Sequence, residues 1–193
     1  MKIKKTQKNR GFTLIELMVA TSIFVIIMLA SMSSLFIMLN ASKNSKALRS
    51  AMDNVNFAME SMTRSIRMGT NYYCVPTGQS MPVSLDVAQD CDSNGGTYIA
   101  FVPQENTGFR VGYKLTPRND TNGTYTLQRC DINSCVDIVS TDINIERLKF
   151  FIKGSGNNDG TQASVYIIIK GTVKVKGVPT SFAIQTMASQ RNF

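Results

Sequence analysis

The chain has 193 residues, a length typical of one domain with an appended segment, and a formal net charge of +8. Residues 1–11 hold five basic residues and no acidic one, so the rest carries only +3, without the basic stripe that favours nucleic-acid binding. The absence of His removes the usual general base, the commonest metal ligand and the usual pH switch, so we expect no enzyme activity.

A long apolar segment follows the basic start. Residues 12–40 are apolar or small over about 29 positions, with Glu16 as their one charged residue, whereas roughly 20 positions suffice to cross a bilayer. A secretory signal peptide has a shorter apolar stretch, with its cleavage site after that stretch. We therefore predict a membrane-spanning helix whose basic start stays in the cytoplasm, with everything after Asn40 outside.

Glu16 is unusual in such a segment, because a carboxylate within hydrocarbon costs roughly 2.5–3.5 kcal/mol on insertion scales. Cleavage between Gly11 and Phe12 would create an α-amino group on Phe12 at the same depth. Glu16 could then pair with the ammonium of its own chain one helical turn away, or with that of a neighbouring copy as an assembly contact. The alternative is a Glu that reaches back to the membrane interface from the start of the helix.

The residues around Glu16 also carry a family resemblance. The stretch from Lys8 to Ala20 reads Lys-Asn-Arg-Gly-Phe-Thr-Leu-Ile-Glu-Leu-Met-Val-Ala. Its Gly-Phe junction, its Thr-Leu-Ile-Glu run and its long apolar tail resemble the prepilin signal of type IV pilins and type II secretion pseudopilins. The resemblance implies cleavage after Gly11 by a prepilin peptidase, N-methylation of Phe12, and a role for Glu16 as the carboxylate that docks subunits.

The helical pattern continues beyond the apolar segment. Apolar residues recur at spacings of three and four, which predicts one buried stripe on a helix from about Phe12 to Met68: Leu48, Met52, Val55, Met59, Met62 and Ile66. Gly69, Thr70 and Asn71 are typical of a helix end. We predict four parts: a cleaved leader over 1–11, a transmembrane and assembly half of the helix over 12–40, its exposed half over 41–69, and a strand-rich domain over 70–193.

The domain after the helix has the composition of strands separated by turns. Residues 72–94 are loop-like, and six later segments are rich in β-branched and aromatic residues: 97–102, 109–116, 124–129, 145–152, 164–175 and 180–186. Residues 120–123 (Asp-Thr-Asn-Gly) are a hairpin-turn candidate. The predicted fold class is α+β, with a long helix packed on an antiparallel sheet that is either single or split in two.

Four cysteines follow the apolar segment, which predicts disulfide bonds in an exported domain and leaves three connectivities. The short turn between Cys130 and Cys135 favours a local bridge. Cys74 and Cys91 would then close a loop of roughly 17 residues, worth about 3 kcal/mol in the chain-entropy model. The alternatives are four free buried thiols or a zinc site, and the lack of a C-x-x-C pair disfavours zinc.

Two loops contain candidates for chemistry. Residues 154–160 place oxygen ligands beside glycines, as calcium sites do, but they contain one carboxylate and lack the spacing of a calcium loop, so a flexible hairpin loop is the preferred interpretation. Asp86, Asp90 and Asp92 surround Cys91 without a defined cleft. We expect no catalytic residue, no metal site and no cofactor.

The resemblance implies a minor pilin or pseudopilin subunit of a type IV pilus or a type II secretion pseudopilus. The chain's size and the tail from Gln185 to Phe193 are similar to the larger minor pseudopilins of the J class or to W-like minor pilins. A major subunit is disfavoured because the last cysteine, Cys135, lies far from the end of the chain. The implied partners are other pilins, the inner (cytoplasmic) membrane, prepilin peptidase and the assembly platform. The implied localisation is a single-pass membrane precursor, with the domain periplasmic or extracellular, and then a filament.

Two alternatives remain open. A minor subunit could serve as a binding module for DNA, a surface or secreted cargo, since Lys170, Lys174 and Lys176 share one parity along a predicted strand. A solvated sheet face or an edge protected by lysines is the simpler explanation of these three residues. The chain could also be a single-span anchor for an extracellular domain, in which case Glu16 would be dispensable.

Overall fold

The computed structural model describes residues 11–76, 78–105, 108–120, 123–156, 161–175 and 178–191, without the side chains of Val175 and Val178. One helix, α1, runs from Leu14 to Arg67 over 54 residues. The chain divides into two units, Met1–Ser45 and Lys46–Phe193. The boundary thus falls within α1, after its most apolar portion.

The predicted stripe on the second part of α1 is confirmed. Its later members are buried and its first two are partly buried against the same core: Val55, Met59, Met62 and Ile66, then Leu48 and Met52. Ala58 adds a small buried residue on the same face. A run of apolar side chains on one face stabilises a helix mainly by removing that face from water, about 25 cal/mol per Å² of apolar surface.

The helix ends two residues before the first strand. The Gly69 amide donates to the Ile66 carbonyl at 2.9 Å, which closes the last turn. A Cβ at Gly69 would collide with the ring of Phe101. Asn71 then adopts a left-handed backbone conformation with φ of 50°, which Asn tolerates better than most residues. Asn71 lies within β1, where the pairing with β2 is irregular between Thr70 and Tyr73.

Eight strands follow the helix. Their bounds are β1 (Thr70–Cys74), β2 (Tyr98–Val102), β3 (Val111–Pro117), β4 (Tyr125–Cys130), β5 (Cys135–Asp137), β6 (Ile143–Lys153), β7 (Ser164–Val175) and β8 (Val178–Ser189). They form a five-stranded sheet in the order β1-β2-β3-β4-β5 and a three-stranded sheet in the order β6-β7-β8. All neighbouring strands are antiparallel, so the predicted α+β class and the division into two sheets are confirmed.

Two of the eight strands contradict the sequence-based assignment. Residues 72–74 were predicted as loop but belong to β1, and β5 was not predicted. β1 exists because it pairs with β2, and β5 because it pairs with β4 at Cys130 and Cys135. The hairpin-turn candidate at 120–123 lies partly outside the described residues, although β3 and β4 on either side of it do pair.

One core joins the second part of α1 to both sheets. The five-stranded sheet contributes residues such as Ile99, Phe101 and Leu127, and the three-stranded sheet contributes residues such as Phe150 and Ile167. Each of these five side chains is fully buried. The rings of Phe101 and Tyr72 lie 6.1 Å apart, within the usual range for aromatic pairs.

Candidate assembly site at the start of the helix

Thr13 caps the N-terminus of α1. The Thr13 carbonyl accepts hydrogen bonds from the amides of Glu16 at 3.1 Å and Leu17 at 3.2 Å, and the Thr13 hydroxyl accepts a longer one from Glu16 at 3.4 Å. Glu16 is therefore the third helical residue. A carboxylate at this position is stabilised by the partial positive charge of the helix N-terminus.

The capping role of Thr13 was not predicted, although the sequence signal was present. Thr13-x-x-Glu16 before an apolar run matches the signature of a capping box, in which a hydroxyl at the cap is followed by Glu three residues later. The structure shows the hydroxyl half of this arrangement. The cap explains why α1 begins at Leu14, so that Phe12 precedes the helix and does not belong to its first turn.

Phe12 and Glu16 are both exposed. The Phe12 side chain is 84% exposed, and Gly11 before it has open space where a side chain would stand. Within the described part of the chain, no basic side chain forms an ion pair with Glu16. The basic leader residues, from Lys2 to Arg10, lie outside the described residues. The structure thus places the Gly11–Phe12 junction and the Glu16 carboxylate at the same end of the helix.

The apolar side chains that follow Glu16 are largely exposed, and contact between so much apolar surface and water is unfavourable. The large apolar side chains from Leu17 to Leu39 have exposed fractions of about half or more, for example 65% for Phe24 and 71% for Ile37. By length and composition α1 can cross a membrane. This surface therefore needs either lipid or other protein chains around it.

Four hydroxyl groups within this apolar part donate to backbone carbonyls of the same helix. Thr21 donates to the Met18 carbonyl at 3.0 Å, and Ser22 donates to the Val19 carbonyl at 2.8 Å. Ser31 and Ser33 donate in the same way to carbonyls one turn earlier. Such bonds let Ser and Thr enter an apolar medium without leaving a donor unpaired.

Both disulfide bonds occur in the structure. Cys74 is bonded to Cys91 and Cys130 is bonded to Cys135, which selects one of the three connectivities. The described residues contain no free cysteine, so the alternatives of free thiols and zinc do not apply. Stable disulfides are typical of an oxidising compartment outside the cytoplasm.

The candidate acids near Cys91 have structural partners. The Asp90 carboxylate accepts hydrogen bonds from the Ser155 amide at 3.0 Å and the Ser155 hydroxyl at 2.5 Å. Asp92 accepts a bond from the Asn94 amide at 3.0 Å. Residues 157–160 of the calcium candidate lie outside the described residues. Within the residues that were searched, no group of three or more acidic, His or Cys side chains could hold a metal ion.

The lysines on β7 occupy one face of the sheet. Lys170 and Lys174 are exposed and alternate with buried Ile169, Gly171 and Val173, as the predicted parity requires. Lys176 lies outside the described residues. Arg147 on β6 is the register partner of Lys170, which adds another positive charge to this exposed face.

Comparison with known proteins identifies the start of the chain. A family model described as the prokaryotic N-terminal methylation motif matches residues 6–32, which include the Gly11–Phe12 junction, the Thr13 cap and Glu16. No curated protein and no solved structure shows significant similarity to the chain. The motif at the start of the chain, the apolar helix and the two antiparallel sheets all point to the same pilin-like layout. The start of the chain therefore carries the prokaryotic N-terminal methylation motif, and the long apolar helix followed by antiparallel sheets has the layout of a pilin-like fold.

Proposed function

We propose that this chain is a minor pilin or pseudopilin subunit that is cleaved after Gly11, N-methylated on Phe12 and assembled through Glu16 into a type IV pilus or a type II secretion pseudopilus. The observation that carries the proposal is the position of Glu16. It is the one charge between Phe12 and Asn40, and it lies at the helix end next to the junction that cleavage would expose.

The physical role of Glu16 is to neutralise a new ammonium group. Because Phe12 precedes the helix, its α-amino group after cleavage would lie beside the capped end of α1. Burying either charge alone in an apolar medium is costly, whereas a hydrogen-bonded pair offsets most of that cost. A pair formed between neighbouring subunits would make insertion of each new helix dependent on a helix already in place.

The membrane precursor supplies the starting point for assembly. The apolar part of α1 is held in lipid, the basic leader stays on the cytoplasmic side, and the disulfide-bonded domain lies outside the cytoplasm. Prepilin peptidase, the inner membrane, an assembly platform and other pilins are the partners that this sequence of events requires. The minor role rests on the resemblance of the stretch from Gln185 to Phe193 to larger minor pseudopilins and W-like minor pilins.

Mass spectrometry of the native protein tests the processing step. The expected mature chain begins at Phe12 and carries one added methyl group on its α-amine. Gly11→Val should block cleavage and leave the leader in place, and a folding defect is not expected, because a Cβ at Gly11 would meet nothing within 4 Å. A mature native chain that still begins at Met1 would overturn the processing step.

Substitution of Glu16 tests the assembly step. Glu16→Gln should leave membrane insertion and cleavage intact but remove the subunit from sheared or sedimented filaments. Asp53→Asn is the matched control, because it makes the same change at an exposed position later on α1 and should not affect incorporation. Equal incorporation of Glu16→Gln and the unchanged protein would favour the single-span anchor instead.

A DNA-binding module is a second candidate, favoured by the exposed Lys170, Lys174 and Arg147 on one sheet face. If these residues contact phosphates, replacing both lysines by Gln should reduce the slope of log affinity against log salt by roughly 2. Lys46→Gln, at an exposed position on α1, is the control. Binding of double-stranded DNA that is unchanged in the double variant would exclude this face.

A further inference from the structure

Strand β8 forms a long open edge of the three-stranded sheet. It runs for 12 residues, from Val178 to Ser189, and among the described strands it pairs with β7 alone. Its register with β7 is unbroken from Ser164↔Ser189 to Val175↔Val178. A strand paired on one side presents a row of backbone donors and acceptors on its other side.

This edge lacks the charges, interior prolines and bulges that commonly protect an open strand. β8 contains no charged residue, and its single proline, Pro179, is its second residue. The opposite edge strand of the sheet, β6, has a register irregularity between Ile145 and Arg147 and carries several charged side chains. Natural proteins protect edges with charges, prolines and bulges because an unprotected edge pairs with other chains. The contrast marks β8 as an edge that is available for pairing.

A groove runs beside this edge. It has a volume of about 590 Å³, and its walls are residues 184–186 of β8 on one side and the last turns of α1 on the other. No described residue of β7 lines it, so it lies along the open side of β8. One end is closed, because the Arg191 amide donates to the Arg67 carbonyl at 2.8 Å. We call it the β8–α1 groove.

The charges around the β8–α1 groove are predominantly positive. Arg64, Arg67 and Arg191 line it, together with one acidic residue, Glu60. Glu60 is already paired with Arg64 at 3.0 Å, in an exposed bridge of the kind that contributes little to stability. Arginine is well suited to bind carboxylates because its guanidinium offers two parallel donors. The groove therefore combines an open backbone edge with arginine side chains of the kind that bind carboxylates.

We propose that the β8–α1 groove binds an extended acidic segment of a partner protein, which adds a strand to the edge of β8 and places its carboxylates against Arg64 and Arg67. Backbone pairing with β8 provides affinity, and the arginines select acidic sequences. This interaction does not use Gly11, Phe12 or Glu16, so it is independent of the processing and assembly steps proposed above.

Peptide binding to the full-length protein in detergent micelles tests the proposal. The probe is a short fluorescent peptide in which valine and glutamate alternate, and binding is measured by anisotropy. A peptide with lysine in place of glutamate should bind at least about 10-fold more weakly, because its charge is repelled. The valine–glutamate peptide with N-methyl groups at alternate backbone nitrogens should also lose about 10-fold, because it keeps its charge but cannot pair as a strand.

Variants of the protein separate the groove from general charge effects. The double variant Arg64→Glu, Arg67→Glu should weaken binding of the acidic peptide by about 10-fold or more and favour the lysine peptide instead. Arg49→Glu changes an exposed arginine earlier on α1, outside the groove, and should leave the affinity within about 2-fold. Circular dichroism should show that each variant keeps its strand content.

Several outcomes would overturn the proposal. Failure of the acidic peptide to bind, equal binding of the N-methylated peptide, or equal binding of the lysine peptide would each remove a necessary part of it. Self-association of the protein that is lost in the Arg64→Glu, Arg67→Glu variant would identify a second copy of this chain as the occupant, against the acidic partner proposed here. Each result leaves the cleavage test at Gly11 and the filament test at Glu16 unaffected.

Discussion

Arg110 connects three stretches of backbone from a buried position. Its guanidinium donates to the carbonyls of Asn71 at 2.7 Å, Ser84 at 3.1 Å and Leu85 at 3.3 Å, and also to the carbonyl of Val87. The side chain is only 3% exposed. Burial lowers the pKa of Arg110, but a guanidinium remains charged under any ordinary condition. Its charge is thus compensated by carbonyl dipoles that also fix the loop after β1.

Replacing Arg110 by Met keeps much of the aliphatic length but leaves these buried carbonyls without a donor. Each unsatisfied buried group costs about 1–3 kcal/mol. The costs of the four carbonyls are not additive, because one local rearrangement can expose several of them to water, so we expect a total loss of about 3 kcal/mol in the free energy of unfolding. Urea unfolding of the protein in micelles measures this loss. Arg147→Met at an exposed position is the control, and equal midpoints for the two variants would refute the role of Arg110.

Three tyrosines make the free energy of unfolding depend on pH in the alkaline range. Burial raises the pKa of Tyr98 to about 12, and it also raises the pKa values of Tyr72 and Tyr113. The unfolded chain loses these protons near pH 10, whereas the folded chain keeps them to higher pH. The stabilisation is therefore complete below about pH 10 and is lost as the pH rises toward the folded pKa values.

The urea midpoint should accordingly be lower at pH 11 than at pH 9. Tyr98→Phe should reduce this difference, because it removes one of the groups that the folded state keeps protonated. The Tyr98 ring also lies 5.9 Å from the Lys114 ammonium, a contact that Phe preserves. A midpoint that is the same at both pH values would contradict the assignment of these tyrosines as buried neutral groups.

The long helix and the other six strands follow from local pattern, whereas β1 and β5 follow from their pairing partners. β1 begins among the residues that are typical of a helix end, since it includes Thr70 and Asn71, and its pairing with β2 is interrupted between Thr70 and Tyr73. β5 has three residues, too few for a periodic pattern. Gly11, Phe12 and Glu16 are adjacent in sequence and could be found by inspection. The β8–α1 groove could not, since Arg64 and Ile184 meet only in the folded domain.

The two disulfide bonds should differ in their contribution to stability because they close loops of different length. Cys74–Cys91 spans 17 residues and Cys130–Cys135 spans 5. In the chain-entropy model these loops correspond to about 3 and about 2 kcal/mol. The paired change to Ser at Cys74 and Cys91 should therefore lower the free energy of unfolding more than the same change at Cys130 and Cys135. A reversed order in urea unfolding would contradict this prediction.

The chain divides into two units that differ in where their apolar side chains lie, buried in one and exposed in the other. The unit Lys46–Phe193 contains every residue of the buried core, whereas the apolar side chains of the preceding unit are exposed. The buried stripe on α1 begins at Leu48, after the boundary. The core therefore does not depend on the membrane segment, and the folded domain should survive without it.

A truncated chain that begins at Lys46 should be soluble without detergent and keep both disulfide bonds. Its helix and strand content by circular dichroism should match that of the domain in the full chain, because no core residue has been removed. A further truncation to residue 56 removes Leu48, Met52 and Val55 from the stripe and should destabilise the domain by several kcal/mol, at about 1.5–3 kcal/mol for each fully buried apolar side chain. Aggregation of the first truncated chain would disprove the independence of the domain.

Four hydroxyl groups of α1 donate to carbonyls of the same helix, which affects how easily the helix can pass from lipid to a protein surrounding: Thr21, Ser22, Ser31 and Ser33. Each of these four hydroxyls takes its acceptor from the same helix, so none of the four donors depends on a particular neighbour. Exchanging acyl chains for the side chains of other helices then requires none of these four bonds to be broken or remade. The main costs of leaving the bilayer are then the repacking of apolar surface and the transfer of the Glu16 carboxylate.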